Sequence, residues 1–236
     1  MIQWKNILLA ILMGLSATTF AAPPEDKGPY FGLGFGIGMI NQQPHLDNFT
    51  TDVRAMTWAP TNVIVTSETQ DSVGKVFVGW RFGPRVSVEA VFFRGGDYSM
   101  AATVNDPAVV DEVTPANSIE AKTGRMTLSA SIQGVGYQVL VFSPNWKQAN
   151  LFGKFGGAMV TTTYECVQSG HFTTNNECPS NGGAGRSQLL YGVGATWNLP
   201  NYIFRLDIDR VESVYLPTKT SKNDLTMATL NVVLKF

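Results

Sequence analysis

The chain is poor in the residues that most chemistry needs. It has two histidines and two cysteines in 236 residues. Histidine-driven acid–base catalysis has only His45 and His171 to draw on, with Asp47 and Asp52 the carboxylates nearest the first. These read as solvated loop residues, because nothing fixes their mutual geometry. Cys166, Cys178 and His171 make a metal set one ligand short of a closed zinc site. Phosphate cradles, zinc spacings and nucleotide-binding motifs are absent, so no cofactor is expected. Charged residues are 15% of the chain, below the ~25% of ordinary soluble domains, and the formal net charge is −1. That balance gives no attraction for nucleic acid. No segment after the N-terminal region reaches the ~20 apolar residues of a membrane helix. Entry into a membrane would therefore require a closed barrel.

What is present begins with the two ends. Met1 to Ala21 has a basic start at Lys5, an apolar run from Ile7 to Leu15, and small residues near Thr19-Phe20-Ala21. This is the pattern of a secretory signal peptide over residues 1–21, leaving one mature domain over residues 22–236. At the other end Ala228, Leu230, Val232, Leu234 and Phe236 alternate with Met227, Thr229, Asn231, Val233 and Lys235. A period of two is a strand with two different faces. An aromatic at the end of such a strand is expected to be read by the barrel assembly machinery, with Leu230, Val232, Leu234 and Phe236 as the signal. In an exported chain Cys166 and Cys178 are expected to form a disulfide.

Eight strands follow from the alternation: Tyr30–Ile40, Gly74–Phe82, Arg85–Arg94, Arg125–Phe142, Leu151–Tyr164, Gln188–Trp197, Tyr202–Arg210 and Leu225–Phe236. Each is close to the ~9–11 residues that a tilted strand needs to cross a bilayer. The fourth starts with Met126, Leu128, Ala130 and Ile132 outward and then blurs at Gly134-Val135-Gly136, which predicts a bulge there. Short turns at Gly83-Pro84, 143–150 and 198–201 alternate with long polar connections at 41–73, 95–124, 165–187 and 211–224. Outer-membrane barrels show this alternation, with tight periplasmic turns and longer external loops. A soluble barrel would reverse the faces. Here the first strand sets Phe31, Leu33, Phe35, Ile37 and Met39 against four glycines, with no charge on the greasy side. Tyr30, Phe31, Trp80, Phe82, Phe142, Trp197, Tyr202, Phe204 and Phe236 sit near strand ends, where an interfacial girdle is expected. The fold class is thus all-β: an eight-stranded antiparallel up-and-down transmembrane β-barrel in the outer membrane, in contact with lipid and lipopolysaccharide and expected to be a monomer.

The run Gly74-Lys75-Val76-Phe77-Val78-Gly79-Trp80-Arg81-Phe82-Gly83-Pro84-Arg85-Val86-Ser87-Val88-Glu89 resembles the OmpA-like and opacity-type eight-stranded outer-membrane barrels. Leu151-Phe152-Gly153-Lys154-Phe155-Gly156-Gly157 looks like that family's fifth strand, and Phe204-Arg205-Leu206-Asp207 like its seventh. The resemblance covers nearly the whole mature chain. It implies interior Glu–Arg/Lys pairs that plug the lumen, and a Lys on the fourth strand where this chain has Gln133.

Parity alone sends Lys75, Glu89, Lys154, Arg205, Asp207 and Asp209 to the lumen. Charge on the lipid face costs ~2–4 kcal/mol at the bilayer midplane, and buried charges have to pair. Glu89 is expected to pair with Arg205 or Lys154, with Asp207 and Asp209 taking the other cations. The expected role is structural and surface-interacting rather than enzymatic. The first connection mixes Phe49, Met56, Trp58, Val63, Ile64 and Val65 with polar residues, and Asn62–Thr66 is β-prone. Strands that rise above the membrane could hold an extracellular protein or surface ligand by strand addition. A narrow pore or a path for small hydrophobic molecules is the alternative. A lipid-modifying enzyme is the third reading.

Overall fold

Strict alternation builds nine strands among the residues described in the computed structural model, which are 27–40, 49–51, 53–55, 60–107, 121–144, 148–170, 172, 182–199, 202–215 and 222–236. They are β1 (Gly28–Ile40), β2 (Val63–Glu68), β3 (Gln70–Arg81), β4 (Val86–Asp106), β5 (Lys122–Phe142), β6 (Ala149–Gly170), β7 (Gly182–Asn198), β8 (Ile203–Tyr215) and β9 (Lys222–Lys235). The sheet runs β4-β3-β1-β9-β8-β7-β6-β5 and closes where β4 also pairs with β5. β2 adds no ninth stave. Only Thr69 separates it from β3, and it carries the same wall position along β4, from Glu68↔Ser99 to Val63↔Val104. The wall is therefore the expected ring of eight antiparallel strands.

Around the lower part of this ring the outward residues are apolar and bare. Phe35, Val78, Trp80, Val139, Phe155, Val193, Leu206 and Leu230 are each between 42% and 67% exposed. No water-soluble surface tolerates so continuous an apolar band, whereas lipid favours it. Trp80, Phe82, Trp197, Tyr202, Phe204 and Phe236 form its rim at the short-turn end. Tyr30 and Phe142, expected in that girdle, face the lumen instead and are buried. Their even parity on β1 and β5 places them inside, whatever their depth.

β5 corrects the expectation for the fourth strand. Met126, Leu128, Ala130 and Ile132 point inward and are buried, while Val135, Tyr137, Val139 and Val141 point outward. The register passes through Gly134, Val135 and Gly136 without a break. The bulge lies on β4, between Arg94 and Asp97. The blur in the sequence is a reversal of solvent, not of backbone. Below Gly134 lipid lies outside and a polar lumen inside. Above it water lies outside and an apolar core inside. The strands also outrun their expected ends: β4 reaches Asp106, β6 reaches Gly170 and β7 begins at Gly182. Much of each long connection is strand that stands clear of the lipid.

The inner wall alternates large and small. Phe77 lies opposite Gly32, Tyr30 opposite Gly79, Phe93 opposite Gly134 and Phe152 opposite Gly194. In each pair a Cβ on the glycine would fall inside the facing ring. This is why the inner face of β1 is almost bare: its glycines leave room for side chains from β3 and β9. A cylinder of eight strands has space only for its own side chains.

Candidate functional site: the filled lumen and the external sheet

Two regions carry chemistry. The first is a layer of six charges inside the lipid-facing part of the barrel. Lys75 comes from β3, Glu89 from β4, Lys154 from β6, and Arg205, Asp207 and Asp209 from β8, all on inward parity. The three cations balance the three anions, and every member is almost fully buried. Lys75 Nζ lies 2.6 Å from Asp207 and 2.7 Å from Asp209. Lys154 Nζ lies 2.9 Å and 2.5 Å from the same two carboxylates. Arg205 grips Glu89 with both terminal nitrogens, and its Nε donates to Asp207 at 2.7 Å. Glu89 also accepts from Tyr30 Oη at 2.7 Å and Gln138 Nε2 at 2.6 Å.

Aromatic rings hold this network in place. The Arg205 guanidinium sits between Phe77 and Phe152, 4.5 Å and 4.9 Å from their centroids. Those are two of the rings accommodated by glycines, so the glycine pattern and the charge pattern serve one arrangement. Gln133, where a Lys was in question, faces outward at the top of the band and takes no part. The polar contribution of β5 is Gln138, five residues on. Its signal was present in the sequence as the one amide between Tyr137 and Val139, both lipid-facing.

Apolar layers close the lumen at both ends. Leu140, Phe142 and Phe152 cluster at the short-turn end, where Arg81 stacks on Phe142 at 4.4 Å and donates to the Gly83 and Pro84 carbonyls. Val73, Phe93, Ile132, Val160, Leu190, Val211 and Met227 lie on the other side of the charges.

The second region is the sheet that stands above the lipid. Here β2, β4, β5, β6 and the first part of β7 form a five-stranded, open, curved sheet. β4 continues about 40 Å along its own direction beyond Arg94, at ~3.3 Å per residue. The remaining wall is lower: β1 stops at Ile40 and β8 at Tyr215. The concave face is a small apolar core of Met100, Ala102, Val104, Met126 and Leu128. Phe49 and Val53 from a helical turn, and Phe172, pack into it. The convex face is mostly short and polar, with Ser99, Ser129, Ser131, Thr161 and Thr163 among its outward residues, and Ile64 and Val167 are exposed apolar residues on the same face. Asp106 fastens β2 at the top, accepting from Thr61 N at 2.9 Å and Asn62 N at 2.6 Å. The Thr61 amide holds the Asp106 carboxyl below the usual carboxylate range.

His45, His171, Asp47, Asp52, Met56, Trp58 and Cys178 lie outside the described residues, as do the first 26. Cys166 sits on the concave side of β6, against the apolar core. Leu230 and Val232 face the lipid on β9, the strand that closes the ring against β1, and Leu234 shares their parity. Phe236 follows them, 62% exposed, with its amide donating to the Pro29 carbonyl at 3.2 Å.

No family model matches the chain, and no curated protein sequence matches it. Solved structures do. Neisserial surface protein A superposes at a TM-score of 0.51 with 8% identity, covering 89% of this chain and 97% of that one. The outer-membrane protein OprG from Pseudomonas aeruginosa gives 0.47 with 9% identity, over 90% and 99%. The N-terminal β-barrel domain of OprF from the same organism gives 0.44 with 11% identity, over 89% and 99%. At such identities likeness speaks for fold, and the first of the three is the one that bears on it. Together with the apolar girdle, the closed ring of eight strands makes this chain an outer-membrane β-barrel of the eight-stranded kind.

Proposed function

We propose that this protein is a surface-interaction barrel. Its lipid band anchors it, its lumen is a structural plug, and its external sheet meets extracellular protein or another surface ligand. The observation that carries this reading is the division of labour along the strands. The membrane half spends its interior on a neutral cluster of six charges, whereas the upper half builds a separate core under a broad five-stranded face. A plug alone does not need that height. Conduction would require the charge pairs to separate inside a cylinder this narrow. The reading assigns no catalytic role.

Several finer features belong to the same proposal. Residues 1–21 are a cleaved signal peptide, testable by the N-terminal sequence of the membrane-inserted protein. Cys166 and Cys178 form a disulfide in the third external connection, testable by thiol titration before and after reduction. Leu230, Val232, Leu234 and Phe236 are read by the assembly machinery, the barrel stands in lipopolysaccharide as a monomer, and the charge layer fixes strand register.

The deciding experiment trims the upper sheet while sparing the lipid band. Removing residues 102–126 and joining Ala101 to Thr127 through a two-residue turn keeps a paired position of the β4–β5 hairpin. Folding is checked by heat-modifiable gel mobility. Cells displaying the intact barrel should bind extracellular matrix or serum protein, and cells displaying the trimmed barrel should not. Equal binding by both would end the proposal.

A further inference from the structure

Three successive outward rows cross β4, β5 and β6 at the top of the lipid band. The lowest, Phe92, Val135 and Met159, is apolar and between 43% and 63% exposed. The next is Arg94, Gln133 and Thr161: a guanidinium, an amide and a hydroxyl on neighbouring strands. The third is Asp97, Ser131 and Thr163. Arg94, Gln133, Asp97 and Thr163 are exposed, and Thr161 and Ser131 half-buried. On β3 the row of Arg94 continues with Gly74, where a Cβ would meet nothing within 4 Å, so the guanidinium can be approached from that side.

Arg94 is an open cation. Among the described residues no carboxylate lies within salt-bridge distance of it, and its side chain takes part in no hydrogen bond. The β4 bulge sets Gly95 and Gly96 between Arg94 and Asp97, where regular alternation would set one residue, and so moves that carboxylate away. Asp71, beside Gly96, accepts instead from the Ser72 and Asp97 amides, each at 2.5 Å. Arg210 makes the contrast. It too is the first polar outward residue above an apolar one, Ile208 on β8, but Asp224 pairs with it. Asp224 is held there by a departure of β8. The register shifts between Val211 and Val214, and Ser213, at a left-handed φ of 57°, donates its amide to Asp224 at 3.1 Å. The chain builds a partner for one cation at the rim and leaves the other without one.

A guanidinium just above lipid attracts the anion that stands at that depth, and it matches phosphate with two parallel hydrogen bonds. Gln133 and Thr161 lie within two strand spacings, about 10 Å, of Arg94, the span over which a sugar bearing that phosphate would rest. Ser131 and Thr163 add hydroxyls one row higher, and Asp97 accepts from sugar hydroxyls and repels a second phosphate.

We infer that Arg94, with Gln133 and Thr161, holds the phosphorylated sugar headgroup of one outer-leaflet glycolipid, whose acyl chains run down over Phe92, Val135 and Met159. The inference rests on the reading that the barrel stands in lipopolysaccharide, and it narrows that contact to one face and one cation. A free phosphate ion leaves the apolar row beneath without a role, and a neutral glycolipid leaves the open cation without one.

The test titrates the full barrel, in neutral detergent, with diphosphoryl lipid A, phosphatidylglycerol and a phosphate-free diglucosyl diacylglycerol, and reads the lipid-bound fraction by native mass spectrometry. Lipid A should bind tightest. Arg94→Gln should weaken it roughly tenfold, the size of one charge-assisted contact, and leave the neutral glycolipid unchanged. Arg94→Lys, which restores the charge but not the paired donors, should recover part of the loss. Arg210→Gln removes the same charge from a side chain that already has a partner, and should bind lipid A as the parent does. Heat-modifiable mobility reports an intact barrel in each variant. Equal lipid A affinity for the parent and Arg94→Gln, an equal loss in Arg210→Gln, phosphatidylglycerol matching lipid A in the parent, or displacement of lipid A by equimolar inorganic phosphate would overturn the inference. If Arg94→Gln binds as the parent does while the parent still prefers lipid A to the neutral glycolipid, only the site assignment falls. If the parent has no such preference, the lipopolysaccharide reading falls with it.

Discussion

Replacing Arg205 with methionine should be the most damaging conservative change in the lumen. The guanidinium is the charge partner of Glu89 and one of three cations around Asp207. Its loss leaves Asp207 with Lys75 and Lys154, but leaves Glu89 with only the neutral donors Tyr30 and Gln138. Removing one partner of a buried ion pair typically costs ~3–5 kcal/mol. The two surviving hydrogen bonds argue for about 3 kcal/mol, the lower end of that range. Methionine keeps the packing between Phe77 and Phe152, so the loss reports charge rather than volume. Glu89→Gln alone should cost a similar amount, because it strands Arg205. The double variant Glu89→Gln/Arg205→Met removes the charge on both sides and should recover about 2 kcal/mol relative to the sum, within the range of couplings between contacting residues. Urea unfolding of the barrel in phospholipid vesicles, followed by tryptophan fluorescence and gel mobility, measures all four corners of the cycle. Single variants within about 0.5 kcal/mol of the parent, with additive effects, would show that the charge layer contributes nothing and that the account of the lumen is mistaken.

Three further outcomes follow from other parts of the structure. Gly32→Val drives a side chain into the Phe77 ring and should cost about 1–3 kcal/mol by overpacking, whereas Gly153→Val meets nothing within 4 Å on the lipid face and should be near neutral in the same unfolding assay. The Asp106 carboxyl is held below its unfolded value, so its clasp on Thr61 and Asn62 is present above the ordinary carboxylate range and lost as pH falls through the lower folded value. Hydrogen-exchange protection factors over Val63–Glu68, which divide out the intrinsic slowing of amide exchange at low pH, should therefore fall on acidification, and Asp106→Asn should show the low protection at neutral pH already. Phe236→Ala should lower the yield of inserted barrel more than alanine at Ser129 on the external face, as read by surface protease accessibility; equal yields would refute the assembly role.

The wall of this barrel was legible because parity is rigid. Val78 and Trp80, or Leu206 and Ile208, could face only one way once their neighbours were polar or small, and the lumen charges followed from the same count. Which ions meet was less legible, since Gln138 and the rings of Phe77 and Phe152 enter only through register across strands. The upper sheet was half visible. Asn62–Thr66 looked β-prone, but Met126, Leu128, Ala130 and Ile132 were assigned to lipid because an apolar stripe does not say which solvent lies beyond it. Periodicity encodes two faces; the depth at which water replaces lipid is set by the assembled barrel. The departure of β8 at Ser213 had no sequence signature at all, for neither glycine nor asparagine marks the left-handed residue.

Site-directed spin labelling along β5, one label at a time from Gly124 to Phe142, tests this reversal most directly. Collisions with oxygen report lipid, and collisions with a water-soluble nickel complex report water. Odd positions from Val135 to Val141 should favour oxygen and odd positions from Arg125 to Gln133 should favour nickel, with even positions shielded throughout. A change of phase at Gly134-Val135-Gly136, or oxygen-accessible labels at Met126 and Leu128, would contradict it.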